Sequence, residues 1–482
     1  MNEPDFKTDA ATAAGPTRRD ILSGAARFMA AIAGLSMLAG RAQGQEVGRP
    51  NIIYIVADDL GFADVGFQGS DILTPNLDRL ASEGAILRNF YTQPLCTPTR
   101  AALMTGRYPL RYGLQVGVIP SGGSYGLAQD EFILPQALKE VGYSTRMVGK
   151  WHLGHADRAF WPRQRGFDYF YGPLVGEIDH FKHEAHGVTD WYLDNELLVE
   201  PGYDTELLGA DAVRQIADHD PASPLFLYLA FTAPHTPYQA PQAYLDRYPD
   251  IPDENRRAYA AMVSAMDDQI GNVIAALDAK GLRENTLIVF HSDNGGTRSK
   301  MFVGEGAVAG DLPPRNDPLR EGKGTVYEGG TRVVALANWP GRIATGEAEG
   351  VMHVVDMLPT LAALTGADLG RSKNLDGIDV WQALAAGQAS PRQGMVYNVD
   401  PGLGAVRDGK WKLVWNAMLP PKVELFDLEA DPSETSDLSA SHPEKVAELQ
   451  ERVVELARAM APPLFFETAL GATLSMPLVI AD

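Results

Sequence analysis

The chain has 482 residues, enough for one large or two unequal domains, and 45% of them are apolar, an ordinary share for a protein with a sizeable core. Its net charge of −21 excludes a nucleic-acid binder, which needs a basic footprint. Long-range steering of an anion toward such a surface is unfavourable, so any anion site has to be a local basic pocket. The single cysteine, Cys96, excludes an intramolecular disulfide.

Residues 1–45 read as an address. Thr17-Arg18-Arg19-Asp20 places twin arginines before an apolar stretch from Ala25 to Ala39. That stretch is too short for a membrane span, and Gly40-Arg41-Ala42 offers small residues for cleavage. The pattern resembles a bacterial twin-arginine export signal. It implies the twin-arginine export machinery as a partner and a periplasmic or secreted destination. That pathway exports folded proteins, so any modification of Cys96 would precede export. No later run is long and apolar enough for a membrane helix, so no stable membrane insertion is expected.

Asn51-Ile52-Ile53-Tyr54-Ile55-Val56-Ala57 is a continuous apolar run, as in a strand buried on both faces of a parallel sheet. It stops at Asp58-Asp59. Thr97 and Pro98 suit the cap and first position of a helix, which sets Cys96 at that helix's positive end. Leu134, Leu138 and Val141 have helical spacing, with Gly142 to end it. Ser144–Val148 is a weaker strand leading into Gly149-Lys150-Trp151-His152. Leu225–Phe231 is a buried run ending near Pro234-His235. Tyr259, Met262, Val263, Met266, Ile270, Val273, Ile274 and Leu277 form one long helical stripe closed by Gly281, a core face. Thr286–Phe290 is a fourth strand, followed by His291-Ser292-Asp293-Asn294-Gly295-Gly296. Strands alternating with helices indicate an α/β fold with a large, mostly parallel sheet. Gly387–Gln393 loosens into a linker. Short alternating strands at Met395–Asn398, Gly409–Trp415 and Glu424–Leu428, with a helix at Pro443–Met460, then form a small antiparallel α+β part. The expected divisions are residues 1–45, 46–390 and 391–482.

Ligands in open α/β sheets bind beyond the carboxyl ends of the strands. Here every such end carries polar residues: Asp58 and Asp59, Lys150 and His152, His235, and Asp293 with Asn294. Asp58, Asp59, Asp293 and Asn294 offer only oxygen, which favours a hard cation, Ca²⁺ or Mg²⁺. Lys150, Lys323 and Arg100 supply positive charge, and the glycine-rich stretch from Arg320 to Arg332 lets backbone approach a ligand closely. His152 and His235 are acid/base candidates. His155, His180, His183 and His186 lie in a polar, aromatic-rich insertion, which reads as a solvated loop with lining of the pocket mouth as the alternative. Trp161, Arg163, Arg165, Tyr171, Phe181 and Trp191 are candidates for the pocket rim. Such a site suits a tetrahedral, dianion-like group, and composition does not choose between a sulfate and a phosphate ester.

Cys96-Thr97-Pro98-Thr99-Arg100, followed by Leu103-Met104-Thr105-Gly106-Arg107, resembles the signature of the formylglycine-dependent sulfatases, Cys-x-Pro-x-Arg, with Thr99 where serine is commoner. The blocks Ala57–Gly61, Gly149–His152, Pro234-His235, Ser292–Gly296 and Lys323–Arg332 follow in the family's order. The resemblance covers roughly residues 49 to 455 and implies an alkaline-phosphatase-like fold. It also implies one Ca²⁺ held by Asp58, Asp59, Cys96, Asp293 and Asn294, and conversion of Cys96 to formylglycine (3-oxoalanine) by a formylglycine-generating enzyme. One hydroxyl of the aldehyde hydrate would attack sulfur. His235, with Lys323, would protonate the leaving oxygen, and Lys150 and Lys323 would hold the sulfate. His152 would help re-form the aldehyde, and Arg100 would orient the hydrate. Arg111–Gln115, Leu225–Ala230 and Tyr259–Asp267 look most like the arylsulfatase B subgroup, the N-acetylgalactosamine 4-sulfatases. The implied substrates are aryl sulfates and sulfated hexosamines of glycosaminoglycan type, as small molecules or oligosaccharides. The alternatives are a phosphate or phosphonate monoester hydrolase on the same scaffold and an inactive sulfated-glycan binder.

Overall fold

Three apolar runs and the weaker strand at Ser144–Val148 become four neighbouring parallel strands, and their pairing decides where the site lies. The computed structural model describes residues 48–303, 308–417 and 420–468, so the expected export signal lies outside the described residues. Its main sheet has ten strands: β1 (Asn51–Ala57), β2 (Ala85–Leu87), β3 (Ser144–Gly149), β4 (Tyr169–Gly172), β5 (Tyr192–Leu193), β6 (Glu196–Leu197), β7 (Leu225–Ala230), β8 (Thr286–Ser292), β9 (Ala335–Asn338) and β10 (Gly346–Ala348). The spatial order is β10-β2-β9-β8-β1-β7-β3-β4-β5-β6. Strands β8, β1, β7 and β3 are parallel, with Ala57 opposite Ser292, Val56 opposite Ala230, and Ala230 opposite Gly149. Their carboxyl ends therefore form one row. Antiparallel pairing appears only toward the margins, at β8–β9, β9–β2, β4–β5 and β5–β6.

Every residue of β1, β7 and β8 is buried. Alternate side chains feed two cores, as a period of two requires. Ile53, Ile55, Leu227 and Leu229 pack with Met262, Val263, Met266 and Ile270 of the long helix Glu254–Ala279. Ile52, Tyr54, Phe226 and Tyr228 join the opposite core with Ala101, Leu103 and Met104. We number the helices used below α1 (Pro75–Ser82), α2 (Cys96–Thr105), α3 (Leu134–Glu140), α4 (Asp204–Ala217), α5 (Glu254–Ala279) and α6 (Pro443–Ala459). The stripe on α5 is buried as its spacing predicts, and Gly281 follows with φ +70°. No helix among the described residues is long and apolar enough to cross a membrane.

A second sheet, β11 (Gly394–Val399), β12 (Leu403–Asp408), β13 (Trp411–Asn416) and β14 (Lys422–Asp427), is antiparallel throughout and covered by α6 through Leu449 and Val453. Strand β12 escapes the sequence reading, because Leu403-Gly404-Ala405-Val406 carries a glycine and no alternation. This sheet grips the glycine-rich segment 320–332. Lys412 of β13 is wholly buried and lies 2.8 Å from both Glu328 and Glu434. Glu328 also accepts hydrogen bonds from Tyr91 at 2.8 Å and Tyr397 at 3.1 Å. Arg320 reaches Glu424 of β14 at 3.3 Å and stacks over Tyr327.

Candidate active site

The row of strand ends delivers its ligands as buried side chains. Asp58 and Asp59 leave β1, Lys150 follows β3, and Asp293 and Asn294 leave β8; none is more than 3% exposed. Asp59 turns through the left-handed region at φ +66°. Its backbone N–H donates to Asp293 Oδ1 at 3.3 Å, and the Asp293 N–H donates to the Ala57 carbonyl at 3.0 Å. The two strand ends thus lock each other. Thr297 Oγ1 and Asn294 Nδ2 donate to Asp59 at 2.9 and 2.8 Å.

Cations lean on these acids. Lys150 donates to Asp58, Lys323 Nζ donates to Asp59 at 2.7 Å, and the Arg100 fork meets Asp293 at 2.8 and 3.1 Å. A third Arg100 hydrogen bond ties the Lys150 carbonyl at 2.9 Å. Burial alone would raise Asp59, yet Lys323 and His235 hold it well below the usual carboxylate range. Asp293 is different: burial and the neighbouring charge of Asp58 push it up in spite of Arg100. Ligand atoms of Asp58, Asp59, Cys96 and His235 all lie within 4.8 Å of one another. A cluster of buried oxygen donors with one carboxylate pushed upward fits a hard divalent cation.

Cys96 is the first residue of α2, whose ten residues are all buried. The expected cap is not formed. Leu95 precedes the helix without a side-chain cap, while Thr97 Oγ1 donates to the His152 carbonyl at 3.1 Å and accepts from the Ile119 N–H at 3.2 Å. Thr97 therefore ties three loops together instead of closing its own helix. The thiol donates toward Asp58 at 3.4 Å and Asn294 at 3.5 Å. Burial and the Asp293 carboxylate push it well above the ordinary thiol range, which makes it a poor thiolate nucleophile.

The two histidines are held in defined tautomers by their carbonyl partners. His152, at φ +58°, directs Nε2 at the Ile119 carbonyl, 3.1 Å away, and leaves a buried Nδ1 with no hydrogen-bond partner among the described residues. Burial with Lys150 and Arg100 nearby keeps it neutral. His235 Nδ1 donates to the Thr236 carbonyl at 2.7 Å, and Nε2 accepts from Lys323 at 3.1 Å. Burial and Lys323 lower His235 to about 3, so the mobile proton of this pair sits on Lys323.

Cys96, His152, His235 and Lys323 line one cavity of about 260 Å³, together with Val118, Ile119, Glu177, His186, Met301 and Phe302, among others. Asp58, Asp59, Arg100, Lys150, Asp293 and Asn294 lie beneath its floor. The rim departs from the sequence reading. Arg165 is buried and bonds the carbonyls of Leu127, Ala128 and Glu131. Tyr171 and Trp191 pack edge to face in the core, Trp161 packs on Tyr192, Arg163 pairs with Asp194, and Phe181 lies against Tyr203. None of these six lines the cavity. His180 and His183 are likewise buried, not solvated, and His183 stacks on Trp191. His180 bonds Asp204 at 2.8 Å and the His235 carbonyl at 3.0 Å, so it braces the His235 backbone. Asp204 outweighs burial and raises His180. No sequence signal joined His180 to Asp204, which begins α4 in a separate block.

Comparison with known proteins gives the family and the fold. The family model described as Sulfatase matches residues 50–367. Mouse arylsulfatase J is 36% identical over 475 residues, covering 86% of this chain and 77% of its own. Mouse N-acetylgalactosamine-6-sulfatase is 33% identical, covering 75% of this chain and 71% of its own. The crystal structure of Ps i-CgsB in complex with k-i-k-neocarrahexaose superposes with a TM-score of 0.79 at 34% identity, over 89% of this chain and 98% of that one.

Proposed function

The chain belongs to the sulfatase family and is a sulfuric ester hydrolase, and we propose that it desulfates sugars at a formylglycine formed from Cys96. One observation carries the reading. The lone cysteine opens a buried helix, faces Asp58 and Asn294, and shares a cavity with Lys323, His152 and His235. Asp58, Asp59, Cys96, Asp293 and Asn294 would hold a calcium ion, which would supply Lewis-acid polarisation beside the aldehyde hydrate proposed at position 96.

The chain's own side chains do the rest. Lys323 carries the proton for the departing alcohol, with His235 Nε2 as its hydrogen-bond acceptor. Lys323 and Lys150 also offset the negative charge of the bound sulfate. The open Nδ1 of His152 accepts a proton from position 96, while its Nε2–H stays on the Ile119 carbonyl. Arg100 fixes Asp293 and the Lys150 backbone, which keeps the floor rigid.

The alcohol portion is a sulfated hexosamine. The names of the 6-sulfatase relative and of the neighbour's oligosaccharide complex support a sulfated sugar. The likeness to arylsulfatase B in Tyr259–Asp267 supports a 4-sulfate. The twin arginines at 18 and 19 support a periplasmic or secreted destination.

Mass analysis of the Cys96 peptide should show an aldehyde in place of the thiol, and Cys96→Ala should abolish turnover of 4-nitrophenyl sulfate. Full activity in that variant would sink the reading. Faster turnover of 4-nitrophenyl phosphate than of the sulfate would favour a phosphoester hydrolase. Chelation should remove activity and lower the melting temperature, with both restored by Ca²⁺, because the buried acids then lose their cation.

A further inference from the structure

The cavity that receives a dianion-like group contains a carboxylate of its own. Among the described residues, Glu177 is the only Asp or Glu that lines it; Asp58, Asp59 and Asp293 are buried and outside the lining. Glu177 is half-buried and shares the lining with the exposed His186. Its neighbour Gly176 is pressed against catalytic machinery: a Cβ there would stand 2.2 Å from His152 Cε1. Glu177 thus follows directly on the residue that touches the imidazole, and it shares the cavity lining with Cys96 and Lys323. Val118, Ile119, Met301 and Phe302 give the cavity an apolar lining that an uncharged ring face fits.

We propose that Glu177 reads the alcohol part of the ester. It accepts a hydrogen bond from a ring hydroxyl near the sulfate-bearing carbon and excludes a second sulfate or a carboxylate from that place. The proposal rests on the sulfatase reading above and sharpens its substrate class to monosulfated sugar rings with a free neighbouring hydroxyl. Two physical facts favour it. A carboxylate beside an anion site repels further negative charge and accepts only from donors. Burial raises Glu177, and Lys323, Lys150 and His186 pull the other way by favouring its charged, acceptor-only form.

The test uses the mature enzyme with N-acetylgalactosamine 4-sulfate, the 6-sulfate, the 4,6-disulfate and 4-nitrophenyl sulfate. The wild type should cleave its preferred monosulfate at least tenfold better, in kcat/KM, than the disulfate. Glu177→Ala should lower the ratio of sugar to aryl sulfate kcat/KM at least tenfold, mainly through KM. Glu177→Gln, which keeps an acceptor but loses the charge, should retain more monosulfate turnover than Glu177→Ala and should abolish the discrimination against the disulfate. Equal losses on sugar and aryl sulfate in Glu177→Ala would assign the side chain to holding the His152 loop and overturn the proposal. A wild type that prefers the disulfate, or that cleaves the aryl sulfate and neither monosulfate, would overturn it as well. Failure of the wild type to cleave any sulfate ester would instead overturn the parent reading, and this one with it.

Discussion

Gly176 carries no chemistry, yet the site cannot accept another residue there. An added Cβ would meet His152 Cε1 at 2.2 Å and Nε2 at 2.4 Å, and that same Nε2 is already tied to the Ile119 carbonyl. Gly176→Ala should therefore move the imidazole without unfolding the protein. The expected loss is about 10²-fold in kcat, the usual penalty for a displacement near 1 Å, with an unchanged urea midpoint. Residues of this kind are invisible in a single sequence, where a lone glycine reads as a turn. Asp58, Asp59, Asp293 and Asn294 were legible because each ends an apolar run and each offers oxygen. His180 was not, because its meaning depends on Asp204 and on the His235 backbone, and spacing encodes neither contact.

At the scale of elements, α1 is capped by another helix. Its own Thr74 provides no cap, and Asp267 of α5 accepts the Asn76 and Leu77 N–H groups at 3.0 and 2.8 Å. Asp267→Ala should cost about 1–2 kcal/mol of stability, as losing a helix cap does, read from urea unfolding. Turnover of 4-nitrophenyl sulfate should be retained, since α1 lines no part of the cavity. The long stripe of α5 was readable because burial on one face leaves a helical period, and β1, β7 and β8 because burial on both faces leaves a continuous apolar run. The Thr97 cap was misjudged for a related reason. Local rules favour it, but the His152 carbonyl and the Ile119 N–H, both distant in sequence, compete for the same hydroxyl. The rim aromatics failed likewise: large rings in an irregular insertion look exposed until their packing partners are known.

Over the whole molecule, two carboxylates share the single ammonium of Lys412. Glu328 keeps its charge and is held low, whereas burial, aided by Glu328 and only partly opposed by Lys412, pushes Glu434 up to about 7. The folded value exceeds the ordinary 4.5. The folded state therefore binds this proton more tightly than the unfolded chain does. Stability from this group is full below the unfolded value and is lost as pH rises through about 7. Glu434→Gln should flatten the fall in unfolding free energy between pH 5 and pH 8 in urea titrations. Lys412→Met should cost about 3–5 kcal/mol at neutral pH, because two buried carboxylates are left without their partner.

Those same contacts join the end of the chain to the segment that carries Lys323. Synthesis runs from the N-terminus, so Cys96 exists long before Lys412 does. In the finished fold Cys96 is 1% exposed, at the start of a wholly buried helix. An enzyme that oxidised this thiol, as proposed above, would have to reach it before the fold closed over it.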